Sequence, residues 1–361
     1  LHLSFDLVCS KGRQNVHVFS SLQLKTLAAQ ILAAAGALAE EADIIAAALV
    51  DANLAGFDSH GILRVPEYVG WMEQGLVTPG ARLTIVRESP AFAVIDGGWG
   101  WGQVIGRQAI EIAIRKATAV GVGTVFGSRC CHLGKAGDYP LMAAERGLAA
   151  VMFVNTHGGG KLVAPWGGRE RRLSANPIAI GVPRRSGPPI LLDISTSAIA
   201  EGRIRNMLHR GVPVPTGCIM DADGNPTTDA AKFYGAPAGA LHPFGGHKGF
   251  GLSLTTDILA GALSGGGCSR PDTTRVANAF TAIVMDPARV RSSDAFEADV
   301  DGLIAWVKSS QLAPGCDEIL IPGEPDARER TRRERDGIPL DETIWRQVGQ
   351  VALKYGVALP D

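Results

Sequence analysis

Leu24, Leu27, Ala28 and Ile31 recur at i, i+3, i+4 and i+7, which places them on one face of a helix. Ser20 or Ser21 can cap its start and Gly36 its end. A second helical run follows. Glu40, Glu41 and Asp43 open it, where the positive end of the helix dipole favours acids, and it ends near Gly56. Proline is tolerated only in the first turn of a helix, so Pro66 sets the helix through PEYVGWMEQG to begin around Arg64 or Val65. His60 and Arg64 then lie in and just after the preceding turn, outside regular helix. From residue 90 the texture changes. AFAVIDGG predicts a strand, and WGQVIGRQAIEIAIRKATAVG a helix with Ile105, Ala109, Ile112 and Lys116 along it. VGTVFGS, LAAVMFVNT, NPIAIGVPR and PPILLDIST predict short strands, with DYPLMAAERG as a helix between two of them. The last two strands form a hairpin about Ser186–Gly187. GFGLSLTTDILAGALSGGG predicts a buried helix, AFTAIVMDP another strand, and a charged, turn-rich tail follows. The pattern is mixed α/β with local hairpins, rather than strict β-α-β-α alternation.

Composition narrows this picture. A chain of 361 residues, 46% apolar and 20% charged, suits a globular protein of two or three domains with a large core. A net charge of −1 leaves no electrostatic footprint for nucleic acid or an anionic membrane. The six cysteines form no C-x-x-C and no dense framework, so reduced thiols and a cytoplasmic location are the expectation. The opening LHLSFDLVCSKGRQ is a poor signal peptide, because its apolar run is short and contains Asp6. The most apolar later stretch carries Asp257 and is too short for a membrane span.

The chemistry emerges by elimination. G-x-G-x-x-G is absent; GVGTVFG at 121–127 has other spacing and lies in strand-like sequence, so an ordinary Rossmann domain is not expected. Eight histidines include no H-E-x-x-H, and the DADGNPTTDAAK stretch lacks the glycine and glutamate of a calcium loop, so no metal is expected. No G-x-S-x-G is present, and Ser59 beside His60 reads as a cap or turn serine. Proton and anion chemistry fits better. His60 and Arg64 are four apart near a glycine turn, and His132 follows a strand in CCHLGKAGDY. Histidine exchanges protons near neutral pH, and arginine grips a carboxylate through two parallel hydrogen bonds. Taken alone, each of these residues reads as structural or surface; together they suggest an acid-binding histidine site. FGGHKGFG puts His247 and Lys248 between glycines at a helix start, which suits either a phosphate-binding end or a glycine turn with a solvated lysine. LLDISTS, 191–197, ends a strand with small hydroxyl residues suited to a ribose or pyrophosphate, or equally to capping a helix. ARERTRRERDG reads as a solvated helix, since its arginines are balanced by acids.

Seven segments occur in a fixed order: ANLAGFDSHGILRVPEYV, CHLGKAGDYPLMAAERG, LVAPWGGRERRLSANPIAIGVP, LLDISTS, GGHKGFGLSLTTDILAGALSGGG, IPGEP and RDGIPLD. Together they resemble the malate/L-lactate dehydrogenase family of the second, non-Rossmann type, from about residue 20 to about residue 355. That family also holds ureidoglycolate, sulfolactate, 2,3-diketogulonate and piperideine-2-carboxylate oxidoreductases. The resemblance implies a largely antiparallel nicotinamide-binding sheet domain inserted in a helical substrate-side domain. Residues 1–19 would be an extension, 20–90 and 291–361 the two helical parts, and 91–290 the nicotinamide-binding part, including the helix at 246–264. It implies NAD or NADP as cofactor, a small 2-oxo or 2-hydroxy acid as substrate, and a homodimer. His60 and His132 would line the active site, one or the other moving the proton. Arg64 would bind the substrate carboxylate, with Ser59 and Tyr68 beside it. Thr156, the run Leu191, Leu192, Asp193, Ile194, Ser195, Thr196 and Ser197, the pair His247–Lys248, and Gly323, Glu324 and Pro325 match cofactor-contacting positions. The expected reaction is hydride transfer between NAD(P)H and a 2-oxo acid. The alternatives are reduction of a cyclic imino acid on the same scaffold, and a non-catalytic dinucleotide- or carboxylate-binding protein.

Overall fold

The computed structural model describes residues 16–360. The reading of the first residues as a poor signal peptide lies outside them, as does most of the expected extension. Along the chain run β1 (Val16–Phe19), α1 (Ser21–Ala34), α2 (Ala39–Leu54), α3 (Val65–Glu73), β2 (Thr84–Glu88), β3 (Phe92–Gly100), α4 (Gly102–Val120) and β4 (Val122–Cys130). Next come α5 (Asp138–Ala144), β5 (Ala149–Asn155), β6 (Ile178–Val182), β7 (Ile190–Ile194), α6 (Glu201–Arg210), β8 (Ile219–Met220), β9 (Pro226–Thr227), α7 (Ala230–Tyr234) and β10 (Ala240–Leu241). The chain closes with α8 (His247–Asp257), β11 (Asn278–Met285), α9 (Ser293–Lys308), α10 (Glu324–Asp336), β12 (Ile338–Asp341) and α11 (Glu342–Lys354).

The first core draws on both ends of the chain. Leu24, Leu27, Ala28 and Ile31 of α1 are buried against α2, α3 and, from the far end, Val348 and Ala352 of α11. Ser20 caps α1 through a capping box with Gln23, which satisfies two orphan N–H groups at once. Val16–Phe19 pairs antiparallel with β12, tying the two ends together. Part of the expected extension is therefore a strand.

The second core belongs to a seven-stranded sheet of order β2-β3-β4-β11-β5-β6-β7. Its β3–β4 pair is parallel and the other pairs are antiparallel. This is a mixed α/β fold with a largely antiparallel sheet, not a Rossmann domain. α4 packs closely on β4 because Gly123 has no side chain: a Cβ there would come within 2.0 Å of the Ala113 carbonyl. The hairpin β6–β7 forms as the Ser186–Gly187 turn predicts.

The stretch expected to be a buried helix is only half buried. α8 runs on into a π-helical turn, Ile258–Ala262. Leu252, Leu254, Ile258, Leu259 and Leu263 are exposed, at 36–54%. Ser253, Thr256, Asp257 and Ser264 face inward instead. The inward polar groups are held by hydrogen bonds: Asn155 Nδ2 donates to Asp257 Oδ1 at 2.8 Å and Ser269 N to Oδ2 at 3.0 Å. Hydrophobic content alone overstated its burial, because a buried polar face is tolerated once satisfied. Among the described residues no helix is long and apolar enough to cross a membrane.

Candidate active site

The segment DSHG forms a 3-10 turn, Asp58–His60, between α2 and a second 3-10 turn, Ile62–Arg64, that leads into α3. Three groups hold it in place. Asn53 Oδ1 accepts the Ile62 N–H at 2.8 Å, and Asn53 Nδ2 donates to Asp58 Oδ1 at 2.6 Å. Arg333 of α10 reaches Asp58 through both its terminal nitrogens, at 2.5 and 3.0 Å, and the Asn53 carbonyl at 2.7 Å. Gly61 allows Asn53 this close; a Cβ at 61 would sit 2.2 Å from Asn53 Oδ1. Gly61→Ala should therefore destabilise the fold by about 1–3 kcal/mol through overpacking and weaken activity by loosening the turn. Urea unfolding monitored by circular dichroism measures the first and steady-state rates the second.

The turn delivers its side chains toward the loop after β4. The His60 and His132 rings stack with centroids 5.5 Å apart and planes 19° apart. Ser59 Oγ lies 2.9 Å from His60 Nδ1, so the adjacent serine and histidine do direct their side chains together, which the sequence reading did not expect. The tight 3-10 backbone brings them into register. Tyr68 is fully buried, with its hydroxyl 2.8 Å from His132 Nδ1 and also 2.8 Å from Gln103 Nε2. Arg64 is steered by two partners: its Nε donates to the Ser59 carbonyl at 2.7 Å and its Nη1 to Glu67 at 2.5 Å. Four of the five residues of the expected substrate site thus touch one another through His60, His132 or Ser59, and Arg64 adjoins them.

The electrostatics favour neutral rings. Burial, then the Arg64 and Lys135 charges, push His60 down to about 3. Burial, Arg64 and His60 hold His132 well below the usual histidine value. Burial holds the Tyr68 phenol in its neutral form by raising its pKa. The buried Lys135 pairs with Asp138 at 2.9 Å. Its ammonium also lies 5.2 Å from the Phe57 ring centroid.

Apart from Thr156, the expected cofactor positions form a connected strip. Leu191 N donates to the Pro322 carbonyl at 3.1 Å, so the Gly323–Glu324–Pro325 start of α10 lies against β7. Gly323 has φ +93°, and a Cβ there would come 3.1 Å from Leu191 N. Phe244 N donates to the Thr196 carbonyl at 3.1 Å, and Ser197 bridges to Pro243, which brings the His247–Lys248 start of α8 to the same end. There the chain turns through Gly245 and Gly246, both at positive φ. The first turn of α8 is partly closed on itself, because Lys248, Gly249 and Phe250 N–H groups already find the Gly245, Phe244 and Gly246 carbonyls. The exposed Lys248 side chain is left as the attractive group for an anion.

Several of these side chains are engaged within the protein. Ser195 Oγ meets Ser197 Oγ at 2.9 Å, and Thr196 Oγ1 donates to the Ala175 carbonyl at 2.9 Å. Glu324 binds Lys308 at 2.6 Å, and Thr156 closes its own loop onto the Gly159 carbonyl. Leu192 and Ile194 lie on β7 opposite Ile180 and Ile178. Asp193 turns toward the histidine loop, where its Oδ2 accepts the Gly137 N–H at 2.7 Å, and burial raises its carboxyl to about 6. A Cβ on Gly202 would come 2.9 Å from Ser59 Cβ. The strip and the histidine pair are therefore neighbours. Among the described residues no group of three or more His, Cys, Asp or Glu could hold a metal ion.

Asn53, Gln103, Lys135 and Arg333 support this site and carry no sequence signal of their own. Arg333 lies in the run read as a solvated helix, yet it is 7% exposed.

Comparison with known proteins gives the chain its relatives. A family model described as malate/L-lactate dehydrogenase matches residues 19–349. An L-lactate dehydrogenase of Cupriavidus necator is 38% identical over 340 residues, covering 93% of this chain and 97% of that protein. A solved structure of a putative malate/lactate dehydrogenase from E. coli superposes with a TM-score of 0.90 at 35% identity, covering 95% of this chain and 96% of that one. A delta1-piperideine-2-carboxylate reductase from Pseudomonas syringae superposes with a TM-score of 0.81 at 30% identity, covering 93% and 100%.

Proposed function

Because the chain belongs to the malate/L-lactate dehydrogenase family and is an oxidoreductase of 2-hydroxy acids, we propose that it uses NAD(P), with Arg64 holding the substrate carboxylate and His132 moving the proton. The observation that carries this reading is the stacked His60–His132 pair beside Arg64, adjoining the strip at the end of β7. A nicotinamide dinucleotide fits that strip, because the exposed Lys248 offers a cation to a phosphate and the space beside Gly245 is clear of other backbone. When bound, the coenzyme accepts or supplies the hydride.

The chain's own residues supply orientation and the proton. The Arg64 guanidinium, steered by Ser59 and Glu67, can present paired donors to a carboxylate. His132 is the better proton carrier, because the buried Tyr68, itself held by Gln103, anchors its Nδ1 and leaves Nε2 for substrate. In 2-hydroxy-acid oxidation the neutral ring takes the hydroxyl proton at Nε2; in reduction the protonated ring returns it. His60, with Nδ1 on Ser59, walls the opposite side of His132 and disfavours a second positive charge there.

Incubating the protein with NADH or NADPH and a panel of 2-oxo acids tests the reading. Substrate-dependent loss of nicotinamide absorbance supports it, and no loss with any panel member counts against it. Adding a cyclic imino acid to the panel separates the second reading, a C=N reductase, which the likeness to the piperideine-2-carboxylate reductase favours. Binding of the coenzyme without turnover of either class would point to a non-catalytic binding protein.

The pH dependence carries a sign that follows from the site. Burial, Arg64 and His60 all depress His132 in the free enzyme. A carboxylate on Arg64 neutralises one of those causes, so His132 holds its proton more tightly in the complex. The acid limb of kcat for oxidation should therefore lie at higher pH than that of kcat/KM, since the two report the complex and the free enzyme. Coincident limbs would argue against a carboxylate at Arg64.

The family expectation of a homodimer also has a surface to use. The exposed Leu252, Leu254, Ile258, Leu259 and Leu263 form an apolar helix face that continues from His247 and Lys248. Such a patch fits a self-complementary contact with a second copy. A single-chain mass by light scattering would refuse it.

A further inference from the structure

Gln103 lies in the first turn of α4 and is 2% exposed. Its amide meets the Tyr68 hydroxyl at 2.8 Å, and that hydroxyl meets His132 Nδ1 at 2.8 Å. The other end of the amide, Oε1, is buried with no hydrogen-bond partner among the described residues. A tyrosine hydroxyl has one hydrogen to give, so it cannot donate to both neighbours. Two hydrogen arrangements fit these heavy atoms and also give the Tyr68 hydrogen an acceptor. In the first, the Gln103 amide donates to Tyr68, Tyr68 donates to Nδ1, and His132 carries its hydrogen on Nε2. In the second, the amide is turned over. Tyr68 then donates to the Gln103 carbonyl and accepts from Nδ1–H, which frees the Nε2 lone pair.

These arrangements differ in what His132 can do. With hydrogen on Nε2 the neutral ring cannot take the hydroxyl proton of a 2-hydroxy acid there. With hydrogen on Nδ1 it can, and the resulting imidazolium keeps the same Nδ1–H bond to Tyr68. Returning the proton to a reduced 2-oxo acid starts from that imidazolium and ends in the same Nδ1–H form. Both directions of the reaction therefore use a His132 that donates to Tyr68, and Tyr68 must then place its own hydrogen elsewhere. The orphaned carbonyl of Gln103 belongs to the one amide that already touches that hydroxyl.

We propose that Gln103 is a positioning residue that acts through Tyr68: by taking the tyrosine's hydrogen it sets His132 in the tautomer that can exchange a proton with substrate. The inference rests on His132 as the proton carrier.

Four variants of the full chain test it: Gln103→Leu, Gln103→Glu, Tyr68→Phe and the double variant Gln103→Leu/Tyr68→Phe. The tautomer of His132 is read by nitrogen NMR of histidine-labelled protein, alongside kcat and KM for oxidation. Gln103→Leu is expected to move the population away from the Nδ1–H form and to lower kcat about ten-fold, with KM within about two-fold. Gln103→Glu, whose carboxylate can only accept, should raise the Nδ1–H population and restore kcat to within about three-fold. The double variant Gln103→Leu/Tyr68→Phe should be no slower than Tyr68→Phe alone, because the two residues act as one unit. An unchanged tautomer ratio in Gln103→Leu, or effects that multiply in the double variant, overturns the proposal. If Gln103→Leu does not fold, Gln103→Glu decides alone, and an unchanged ratio there overturns it equally. The NMR reading needs no turnover, so it is separable from a failure of the His132 assignment, which kinetics of a His132 variant reports.

Discussion

His132→Asn is expected to lower kcat by about 10²- to 10⁴-fold in both directions, while KM for the acid stays within a few-fold. Asparagine keeps a hydrogen-bonding group near the Nδ1 position, so the contact to Tyr68 can survive while the titrating ring is lost. Binding of the acid is assigned to Arg64, which does not touch His132 through any hydrogen bond. That is why the loss should fall on turnover. His60→Asn is the comparison. The His60 Nδ1 partner is the neighbouring serine rather than a buried relay, and its loss should cost less than the loss of His132. Steady-state kinetics of the two variants, with coenzyme binding followed by fluorescence, measures this. A larger loss in His60→Asn than in His132→Asn would move the proton to the other ring.

Arg64→Leu should cost about 10- to 150-fold in kcat/KM, the equivalent of losing one charge-assisted interaction of about 1.5–3 kcal/mol. Glu67 and the Ser59 carbonyl already steer the guanidinium, so little ordering remains to be done when an acid arrives. The variant has a second signature that misfolding would not copy. Arg64 is one cause, after burial, of the lowered proton affinity of both histidines. Without it the acid limb of kcat/KM should move to higher pH. Lys25→Ala, an exposed change on α1, should leave both quantities unchanged. An Arg64→Leu enzyme with near-normal kcat/KM and an unmoved limb would remove Arg64 from substrate binding.

Much of this was legible in the sequence, for local reasons. Ser20 and Gln23 carry a capping box within four residues, and Pro66 fixes where α3 can begin. The Ser186–Gly187 turn sets the register of β6 against β7. The convergence of His60, Arg64, Tyr68 and His132 needed the ordered set of motifs, because each of these residues alone is commonplace. What escaped the sequence depends on partners far along the chain. Nothing near Gln103 marks it as the partner of Tyr68, 35 residues away. The apolar run of α8 announces a helix but not that its polar side faces inward, since Asn155 and Ser269 are what make that tolerable. Arg333 sits among solvated charges and differs from them in being buried and in reaching Asp58 and the Asn53 carbonyl.

That last contact spans 275 residues, from the turn bearing His60 to the helix α10. It gives the order of synthesis a chemical consequence. A chain still growing on the ribosome has made both histidines, Arg64 and the strand β7 long before it makes Arg333. Until then Asp58 lacks the bidentate cation that braces the turn, and the DSHG backbone is held only by groups near it in sequence, Asn53 and Arg64. The nascent protein would therefore carry the side chains of the proposed site before the brace that completes their turn. Completion of the C-terminal segment would be the event that arms the site.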